Sequence, residues 1–262
     1  MDERAQGRVQ YRHPVIESRG ESRSDEWIAF ELAKRLGLGN SFWNGDADAA
    51  YRDILEPSGI DLDALKAAPR GIDVTLETPY HRHERDGGFA TPSRRIEIWS
   101  EQFAAHGQNA LPEYVEPAMS PVSRPDLHQR YPLVLTSAKH HAFCHSQHRN
   151  LPSLRKLQRE PRVEMHPDAA AARGIADGDA VVVETPVGAI TVRARLRKDL
   201  APDVVAGQHG WWQGCEALDL PERPASGIDS TNFNAIIGNE DQDPISGSTP
   251  HRSYLCEVRP AG

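Results

Sequence analysis

One stretch of the sequence, residues 133–150, gathers the side chains with the most chemical capacity. It reads LVLTSAKHHAFCHSQHRN, a short apolar run followed by a polar segment. The polar segment carries hydroxyls, one amine, one thiol and several imidazoles, from Thr136, Ser137, Lys139, His140, His141, Cys144, His145 and His148. Loops that follow a rigid strand commonly hold binding groups. This mixture suits a large ligand with phosphates and heteroaromatic edges.

A protein-bound metal is one alternative for this stretch, but the spacing argues against it. The two adjacent pairs, His140-His141 and Cys144-His145, would give awkward geometry around one ion, and no zinc-motif spacing is present. The three cysteines of the chain include no CxxC pair, so the sequence signals neither an iron–sulfur site nor a structural zinc site. We predict no metal ligand on this chain.

A stand-alone hydrolase is a second alternative, with Cys144 as nucleophile and a nearby histidine as base. The sequence around Cys144 has neither a G-x-S-x-G motif nor a cysteine-protease signature. The carboxylates of Asp177 and Asp179 flank Gly178 and are typical of a turn. We therefore predict no catalytic side chain on this chain.

Three further side chains are candidates for ligand contact. Trp211 and Trp212 have rings that stack on a ligand or fill a core. Asn234 lies between Phe233 and Ala235, where its amide either reads the edge of a heterocycle or forms a turn. The chain has no glycine-rich phosphate loop of the Rossmann or Walker type.

Composition limits the class of partner. The 262 residues allow one large or two small domains. A net charge of -8 argues against nucleic acid as the main partner, because phosphate backbones require a basic face. Positive charge is nevertheless dense after the key stretch, where it forms either an anion site or a solvated face: Arg149, Arg155, Lys156, Arg159 and Arg162. No apolar run is long enough for membrane insertion, and the polar N-terminus is not a signal peptide.

The N-terminal part is predicted to be helical. Ser24 caps a helix in which Ile28, Leu32 and Leu36 recur at helical spacing, and Gly37 ends it. Weaker helices are expected over residues 47–55 and from residue 61, and alternation predicts a strand over residues 96–99. The proline-rich residues 112–130 are interpreted as an exposed linker. We place the domain boundary so that residues 1–118 form a helical or irregular segment and residues 119–262 form a β domain.

The C-terminal part reads as β structure. Short strands are predicted near residues 133–135, 163–165, 181–183, 190–196, 204–205 and 254–258, and a helix begins at Pro167. Six short strands with one crossing helix favour a small closed barrel over an open sheet. The predicted fold class is α+β, mainly β.

The chain resembles the C-terminal portion of the molybdopterin oxidoreductases of the dimethyl sulfoxide reductase family. The matching runs in the β domain are LVLTSAKHHAFCHSQHRNLPSL, the long segment from VEMHPD to GQHGWW, TNFNAI and DPISG, in the same order and spacing. VIESRGESRSDEWIAFELAKRLG and GGFATPSRRIEIWSE resemble the segment that precedes the dinucleotide domain in that family. One departure is Arg94, where the family often has glycine.

The resemblance implies a fold and a set of cofactor contacts. The fold is a six-stranded barrel of the double-psi type. The contacts to the pterins and phosphates of a bis(molybdopterin guanine dinucleotide) cofactor fall on nine residues: Thr136, Ser137, Lys139, His145, Ser146, Gln208, His209, Trp211 and Asn234. Lys139 stands where arginine is common, so it offers a point charge without bidentate geometry.

The resemblance also shows what this chain does not contain. The cysteine motif for an iron–sulfur cluster and the segment that supplies the molybdenum ligand are both missing from the sequence. We therefore expect that the chain is either a separate subunit or the C-terminal part of a larger protein. As a subunit, it would have a larger partner chain that holds the molybdenum or tungsten and an iron–sulfur cluster, and the assembly could include an iron–sulfur electron-transfer subunit. The sequence leaves two compartments possible: the cytoplasm, or the periplasm if the chain is exported together with a partner. The alternatives are a hydratase that uses the same cofactor without net redox change, and a non-catalytic cofactor-binding module.

Overall fold

The computed structural model describes residues 7–74 and 82–262. The described residues divide into two compact units, and the division falls between Glu97 and Ile98. The boundary predicted between residues 118 and 119 falls inside the second unit and stays a prediction. Among the described residues, no helix combines the length and the apolar character that a membrane span requires.

The second unit contains a closed barrel of six strands, which confirms the predicted fold class. These strands, in chain order, are β3 (Leu133–Ala138), β4 (Arg162–Met165), β5 (Ala180–Glu184), β6 (Ala189–Leu196), β7 (Val204–Gln208) and β8 (Tyr254–Pro260). Around the barrel the order is β3-β7-β4-β6-β5-β8. The pairs β3–β7 and β4–β6 are parallel, and the other four pairs are antiparallel. Closure gives each of these six strands a neighbour on both sides.

Strand register brings three chain segments to one end of this barrel. Ala138, the last residue of β3, pairs with Gln208, the last residue of β7. Leu135 of β3 pairs with Tyr254, the first residue of β8. The loops that follow β3 and β7 and the segment that precedes β8 therefore leave the barrel at the same end.

Alternation along the strands explains the barrel core. In β6, Ile190, Val192 and Ala194 are buried, whereas Arg193 and Arg195, which alternate with them, are exposed. This period of two places one face of the strand in the core and the other in water. The core also contains Met119, which is 5% exposed, next to the buried Ser120. The interpretation of residues 112–130 as an exposed linker is therefore wrong at these two residues, because the Met119 side chain packs into the barrel.

Short helices complete the two units. In the first unit they are α1 (Asp25–Arg35), α2 (Ala47–Leu55), α3 (Leu62–Ala67) and α4 (Arg82–Arg85). In the second unit they are α5 (Glu101–Ala105), α6 (Pro125–His128), α7 (Pro152–Arg155) and α8 (Pro167–Ala171). Short 3₁₀ segments occupy Gly39–Gly45, Glu56–Ser58, Glu216–Leu218 and Phe233–Ile236.

The first unit follows its sequence signals in the helices but not in the expected strand. Ser24 caps α1 by accepting a hydrogen bond from the Trp27 backbone N–H at 3.3 Å, as predicted. A two-stranded ribbon pairs β1 (Arg8–Val9) with β2 (Ile72–Asp73). The strand predicted over residues 96–99 is wrong: these residues form no strand, and Ile96 and Ile98 are 71% and 70% exposed. Alternation alone does not make a strand where no partner strand pairs with it.

Candidate functional site

A cavity of about 640 Å³ opens at the barrel end where β3 and β7 finish and β8 begins. Its walls come from four segments that are distant in sequence. Their lining residues are Ser137, Lys139, His145, Ser146, His209, Gly210, Trp212, Phe233, Asn234, Ile237, Gly238, Asn239, Thr249, His251 and Arg252. The register of the three strands explains why these segments meet.

Six of the nine side chains predicted to contact the cofactor line this cavity. They are Ser137, Lys139, His145, Ser146, His209 and Asn234. Asn234 lies in the 3₁₀ segment Phe233–Ile236, where the Asn232 side chain accepts a hydrogen bond from its backbone N–H at 3.2 Å. The Asn234 side-chain amide is exposed and makes no hydrogen bond with a described residue. It is therefore available to a heterocycle.

The other three predicted contacts lie outside the cavity wall. Thr136 sits within β3, partly buried and paired with Ala206. Gln208 is 7% exposed, and its side chain accepts a hydrogen bond from the Gln158 amide at 2.6 Å. Trp211 is 1% exposed. The sequence left open whether the rings of Trp211 and Trp212 contact a ligand or pack in the core. In the structure, Trp212 lines the cavity and Trp211 is buried beneath it.

Arg149 holds together the two loops that form much of the cavity wall. Its guanidinium donates to the His145 carbonyl at 2.7 Å and to the His209 carbonyl at 2.8 Å. A third bond, at 3.2 Å, reaches the Gln147 carbonyl. Burial, followed by the charge of Arg155, lowers the pKa of Arg149 to about 10. At neutral pH it is thus a buried cation bonded to backbone oxygens.

Aromatic rings surround this buried cation. The Arg149 guanidinium carbon lies 4.6 Å from the centre of the Phe143 ring and 4.8 Å from that of Trp211. Arg155 approaches the Trp211 ring at 4.9 Å and donates to the Arg149 and Gln213 carbonyls at 3.1 Å. Cation–π contacts of desolvated groups contribute roughly 2 kcal/mol. The cluster fixes the loops from beneath.

Gly210 is required by this arrangement. Its φ of +88° lies in the left-handed region, and an added Cβ would lie 2.9 Å from the Arg149 Cζ and 3.0 Å from the Ser146 Cα. A side chain at this position would therefore push apart the two loops that Arg149 joins.

The cavity has a positive electrostatic character. Lys139, Arg252 and three histidines line it, and none of the described residues in its wall is a carboxylate. Burial lowers the pKa of His209, and the charges of Arg149, His145, Lys139 and His251 lower it further. Such an environment favours an anion, because an added negative charge meets the cations Lys139 and Arg252 and no carboxylate among the lining residues.

Sequence reasoning missed several side chains of this wall. Asn239, Thr249, His251 and Arg252 all line it. The last three occur as TPHR just before β8, a polar run followed by a strand, which mirrors the polar loop after β3. That mirrored pattern was the signal available in the sequence.

The histidine and cysteine side chains do not assemble into a metal site in the described part of the chain. No group of three His, Cys, Asp or Glu side chains there has a metal-binding arrangement. His140 and His141 stack on each other with ring centres 4.5 Å apart. Cys144 is exposed, whereas Cys256 is buried and its thiol pKa is raised by burial.

Comparison with protein families identifies the barrel. Residues 133–255 match the family model described as "Molydopterin dinucleotide binding domain". The matched range runs from the start of β3 into β8, so it includes every segment that lines the cavity.

Relatives extend the similarity into the first unit. The putative catalytic chain of a dimethyl sulfoxide reductase from Halobacterium salinarum is 31% identical over 78% of this chain. Acetylene hydratase from Syntrophotalea acetylenica is 27% identical over 92% of this chain. The solved structure of an acetylene hydratase from Pelobacter acetylenicus shares the fold, with a TM-score of 0.72 and 24% identity over 94% of this chain.

The chain is much shorter than these relatives. It spans 25% of the Halobacterium protein and 34% of each acetylene hydratase. The similarity thus concerns one portion of a larger protein.

Proposed function

The chain belongs to the molybdopterin oxidoreductase family and carries its dinucleotide-binding domain, and on this basis we propose that it binds one pterin guanine dinucleotide of a bis(molybdopterin guanine dinucleotide) cofactor. In this proposal the chain completes the active site of a molybdenum-dependent oxidoreductase, either as a separate subunit beside a larger partner or as the C-terminal part of a longer protein. Alone it is inactive, because it supplies no ligand to the metal.

The donor set of the barrel-end cavity carries this proposal. Amide groups of Asn234 and Asn239, hydroxyls of Ser137, Ser146 and Thr249, and the Trp212 ring suit a pterin, whose edges offer both donors and acceptors. Lys139, Arg252 and the histidines suit the phosphates. The volume of about 640 Å³ lies within the range of small-molecule sites in proteins.

This chain's residues would bind and orient the cofactor. When bound, the cofactor supplies the electron-transfer or oxygen-atom chemistry. Asn234 would hydrogen-bond a pterin ring, and Ser137, Lys139, His145, Ser146 and His209 would contact pterin and phosphate groups. Thr136, Gln208 and Trp211, which the resemblance also implicates, would act from beneath the wall by holding its backbone.

A row of exposed apolar side chains supports the expectation that another chain packs against this one. Ile28, Leu32 and Leu36 follow one another along the same side of α1 and are 51%, 55% and 65% exposed. Exposed apolar side chains grouped in this way mark protein contacts. The partner would contribute the molybdenum or tungsten ligand and the iron–sulfur cluster that the resemblance implies, and an iron–sulfur electron-transfer subunit fits the same assembly.

A hydratase that uses the same cofactor is the second candidate. The observation that favours it is the similarity to acetylene hydratase, which covers 92% of this chain. Both candidates require the same cofactor cavity, so they differ in the reaction and not in the role of this chain. A non-catalytic cofactor-binding module is the remaining alternative.

The first test is anaerobic purification of the protein from its own host under native conditions. Co-purifying chains are identified by mass spectrometry, and molybdenum, tungsten and guanine nucleotide are assayed in the same preparation. We expect a larger chain, one of the two metals and a pterin dinucleotide. A preparation that carries no pterin dinucleotide contradicts the proposal, and one with the dinucleotide but no partner supports the non-catalytic module.

A further inference from the structure

We infer that a second pocket, on the outer wall of the barrel, binds a compact polyanion that has several negative charges and no aromatic ring. This outer pocket has a volume of about 410 Å³ and is formed by β4, β6, residues 156–160 and the turn at Asp177 and Gly178. It shares no lining residue with the barrel-end cavity. Five cations line it: Lys156, Arg159, Arg162, Arg193 and Arg195.

The strands place three of these arginines on one face of the barrel. In β4, Val163 and Met165 are buried in the core, so Arg162 lies on the outer side of the strand. In β6, Arg193 and Arg195 alternate with buried residues and are exposed. Arg162 pairs with Arg193 across the two parallel strands, so their backbones lie about 5 Å apart, and Arg195 lies roughly 7 Å further along β6. Like charges on paired residues repel each other, and an anion between them removes that repulsion.

Two buried side chains hold the segment that forms another part of the wall. Arg155, which is 4% exposed, donates from its Nε to the Arg159 carbonyl at 2.8 Å. Gln158, which is 3% exposed, donates to the Glu160 carbonyl at 2.8 Å. The backbone of residues 156–160 is therefore fixed without a ligand, and the exposed side chain of Lys156 meets the pocket from a preorganised support.

Two carboxylates of the wall are already engaged. The Glu160 carboxylate lies 3.2 Å from the Arg193 Nε. The Asp177 carboxylate accepts a hydrogen bond from the Leu196 backbone N–H at 2.7 Å and lies 3.9 Å from Arg195. Exposed ion pairs of this kind contribute little free energy. Each carboxylate thus offsets the charge of one arginine of β6 without blocking its exchange for a ligand anion.

Three cations of the wall have no acidic partner in the described part of the chain. Among residues 7–74 and 82–262, no carboxylate forms an ion pair with Lys156, Arg159 or Arg162. The sequence left open whether the positive charge after β3 forms an anion site or a solvated face. In the structure, Arg149 and Arg155 are buried, whereas the other three line the outer pocket. This local excess of positive charge, in a chain of net charge -8, attracts a ligand with several negative charges.

The rest of the wall selects for a ligand without an aromatic ring. Leu157 and Ala194 supply its apolar side chains, and its described residues include no aromatic ring on which a base could stack. Guanidinium groups bind carboxylates and phosphates alike. Tricarboxylates and short inorganic polyphosphates share the required chemistry, namely several anionic groups on a compact frame.

The first test is protection of lysines from acetylation, followed by mass spectrometry on the purified full chain. Citrate and inorganic tripolyphosphate are the probes, and acetate and inorganic phosphate, at matched ionic strength, are the controls of lower charge. A probe at about ten times its Kd occupies roughly nine-tenths of the pockets, so it should slow acetylation of Lys156 about tenfold. Lys198 is exposed and lies outside the pocket, so its acetylation should not change.

Titration calorimetry on variants tests the arginine that has no partner among the described residues. We expect Arg162→Gln to weaken binding of the protecting probe about tenfold or more, the effect of losing one charge-assisted hydrogen bond. Arg162→Lys keeps the charge and should recover part of the affinity. Lys198→Gln is the matched control and should leave the affinity unchanged. Lys139→Gln removes a cation of the barrel-end cavity and should leave the protection of Lys156 intact.

The outcomes decide both the existence of the site and the source of its ligand. Protection of Lys156 by citrate alone assigns a tricarboxylate, and protection by tripolyphosphate alone assigns a polyphosphate. Equal protection of Lys198, equal protection by acetate or phosphate, or an affinity that Arg162→Gln leaves unchanged in a variant that thermal unfolding shows to be folded, overturns the site. Loss of protection in Lys139→Gln assigns the binding to the barrel-end cavity and also overturns it. None of these measurements requires the pterin dinucleotide, so their result is independent of the proposed function.

Discussion

Arg149 shows how one buried side chain can organise a binding surface that it does not line. It is 2% exposed, and its bonds to the carbonyls of His145 and His209 join the loop after β3 to the loop after β7. Buried charges are costly unless they are hydrogen-bonded. Here the bonds to backbone oxygens and the ring contacts offset that cost.

We predict that Arg149→Ala lowers the free energy of unfolding by about 2–4 kcal/mol, because it leaves three carbonyls without their donor. Denaturant unfolding measures the change. Arg159→Ala is the matched control, since Arg159 is exposed and donates one bond, to the Leu218 carbonyl at 3.2 Å. The control should change the free energy of unfolding by less than about 0.5 kcal/mol. Similar losses in the two variants would contradict the role of Arg149.

Arg94 gives a second prediction at a single residue. Its φ of +62° lies in the left-handed region, which explains the glycine that related proteins often have there. We predict that the free energy of unfolding of the first unit is about 0.5–1 kcal/mol higher in Arg94→Gly than in Arg94→Ala. Both variants lose the hydrogen bond that the Arg94 guanidinium donates to the Asp86 carbonyl, and only glycine relieves the backbone strain. Glycine relieves the left-handed strain, which costs roughly 1–2 kcal/mol. Its flexibility in the unfolded chain offsets about 0.5–1 kcal/mol of this stabilisation.

Thermal unfolding checks the Arg94 prediction against a neighbour. Arg95 is also exposed but does not have a positive φ. Arg95→Gly should therefore lower stability, because it adds flexibility to the unfolded chain without relieving strain. A melting temperature in Arg94→Gly no higher than that of Arg94→Ala would show that the left-handed strain is absent.

At the scale of elements, β7 and the 3₁₀ segment Phe233–Ile236 pack so closely that each fixes the position of the other. An added Cβ at Gly207 of β7 would lie 2.8 Å from the Phe233 Cδ2, closer than packed carbon atoms approach. Phe233 is 2% exposed and precedes Asn234, so its position sets where the Asn234 amide meets the cavity. The close contact with Phe233 therefore requires glycine at position 207 of this strand.

We predict that Gly207→Ala destabilises the barrel by about 1–3 kcal/mol, the usual cost of overpacking a core. It should also weaken ligand binding in the cavity, since Phe233 must move and takes Asn234 with it. Gly39→Ala is the control, because the nearest atoms to its added Cβ belong to the flexible side chains of Asn44 and Lys34, at 3.2 and 3.4 Å, and the Lys34 Cα lies at an ordinary contact distance of 3.8 Å. Calorimetric unfolding that is unchanged in Gly207→Ala would contradict the packing argument.

At the scale of the whole molecule, the division between Glu97 and Ile98 predicts an autonomous barrel. Residues 98–262 contain all six barrel strands and the core residue Met119. We predict that the fragment 98–262 unfolds in one cooperative thermal transition. A shorter fragment, 121–262, loses the Met119 side chain and should be less stable by about 2–3 kcal/mol, the value of burying a large apolar side chain.

Circular dichroism of the two fragments measures this difference, with the full chain as reference. Equal melting temperatures for 98–262 and 121–262 would mean that Met119 adds nothing to the barrel core. A fragment 98–262 without a cooperative transition would mean that the second unit is not independent.

Local sequence patterns were enough to predict the secondary-structure elements of the barrel and the polar character of the loop after β3. Short apolar runs, and clean alternation in β6, predicted the six barrel strands. The cap at Ser24 predicted the start of α1, and the run after β3 predicted a polar binding segment. These features depend on neighbours within a few residues, so a local pattern carries them.

The set of residues that share the cavity depends on the three-dimensional packing of distant segments. Trp211 and Trp212 are adjacent and chemically alike, and a left-handed φ of +79° at Trp211 accompanies its burial beneath the arginines while Trp212 faces the cavity. Arg252 lies more than a hundred residues from Lys139, and the antiparallel pairing of β3 with β8 brings them to one barrel end. Met119 lies in the core although the residues around it show no hydrophobic periodicity. Such outcomes depend on the pairing of distant strands, which no local pattern encodes.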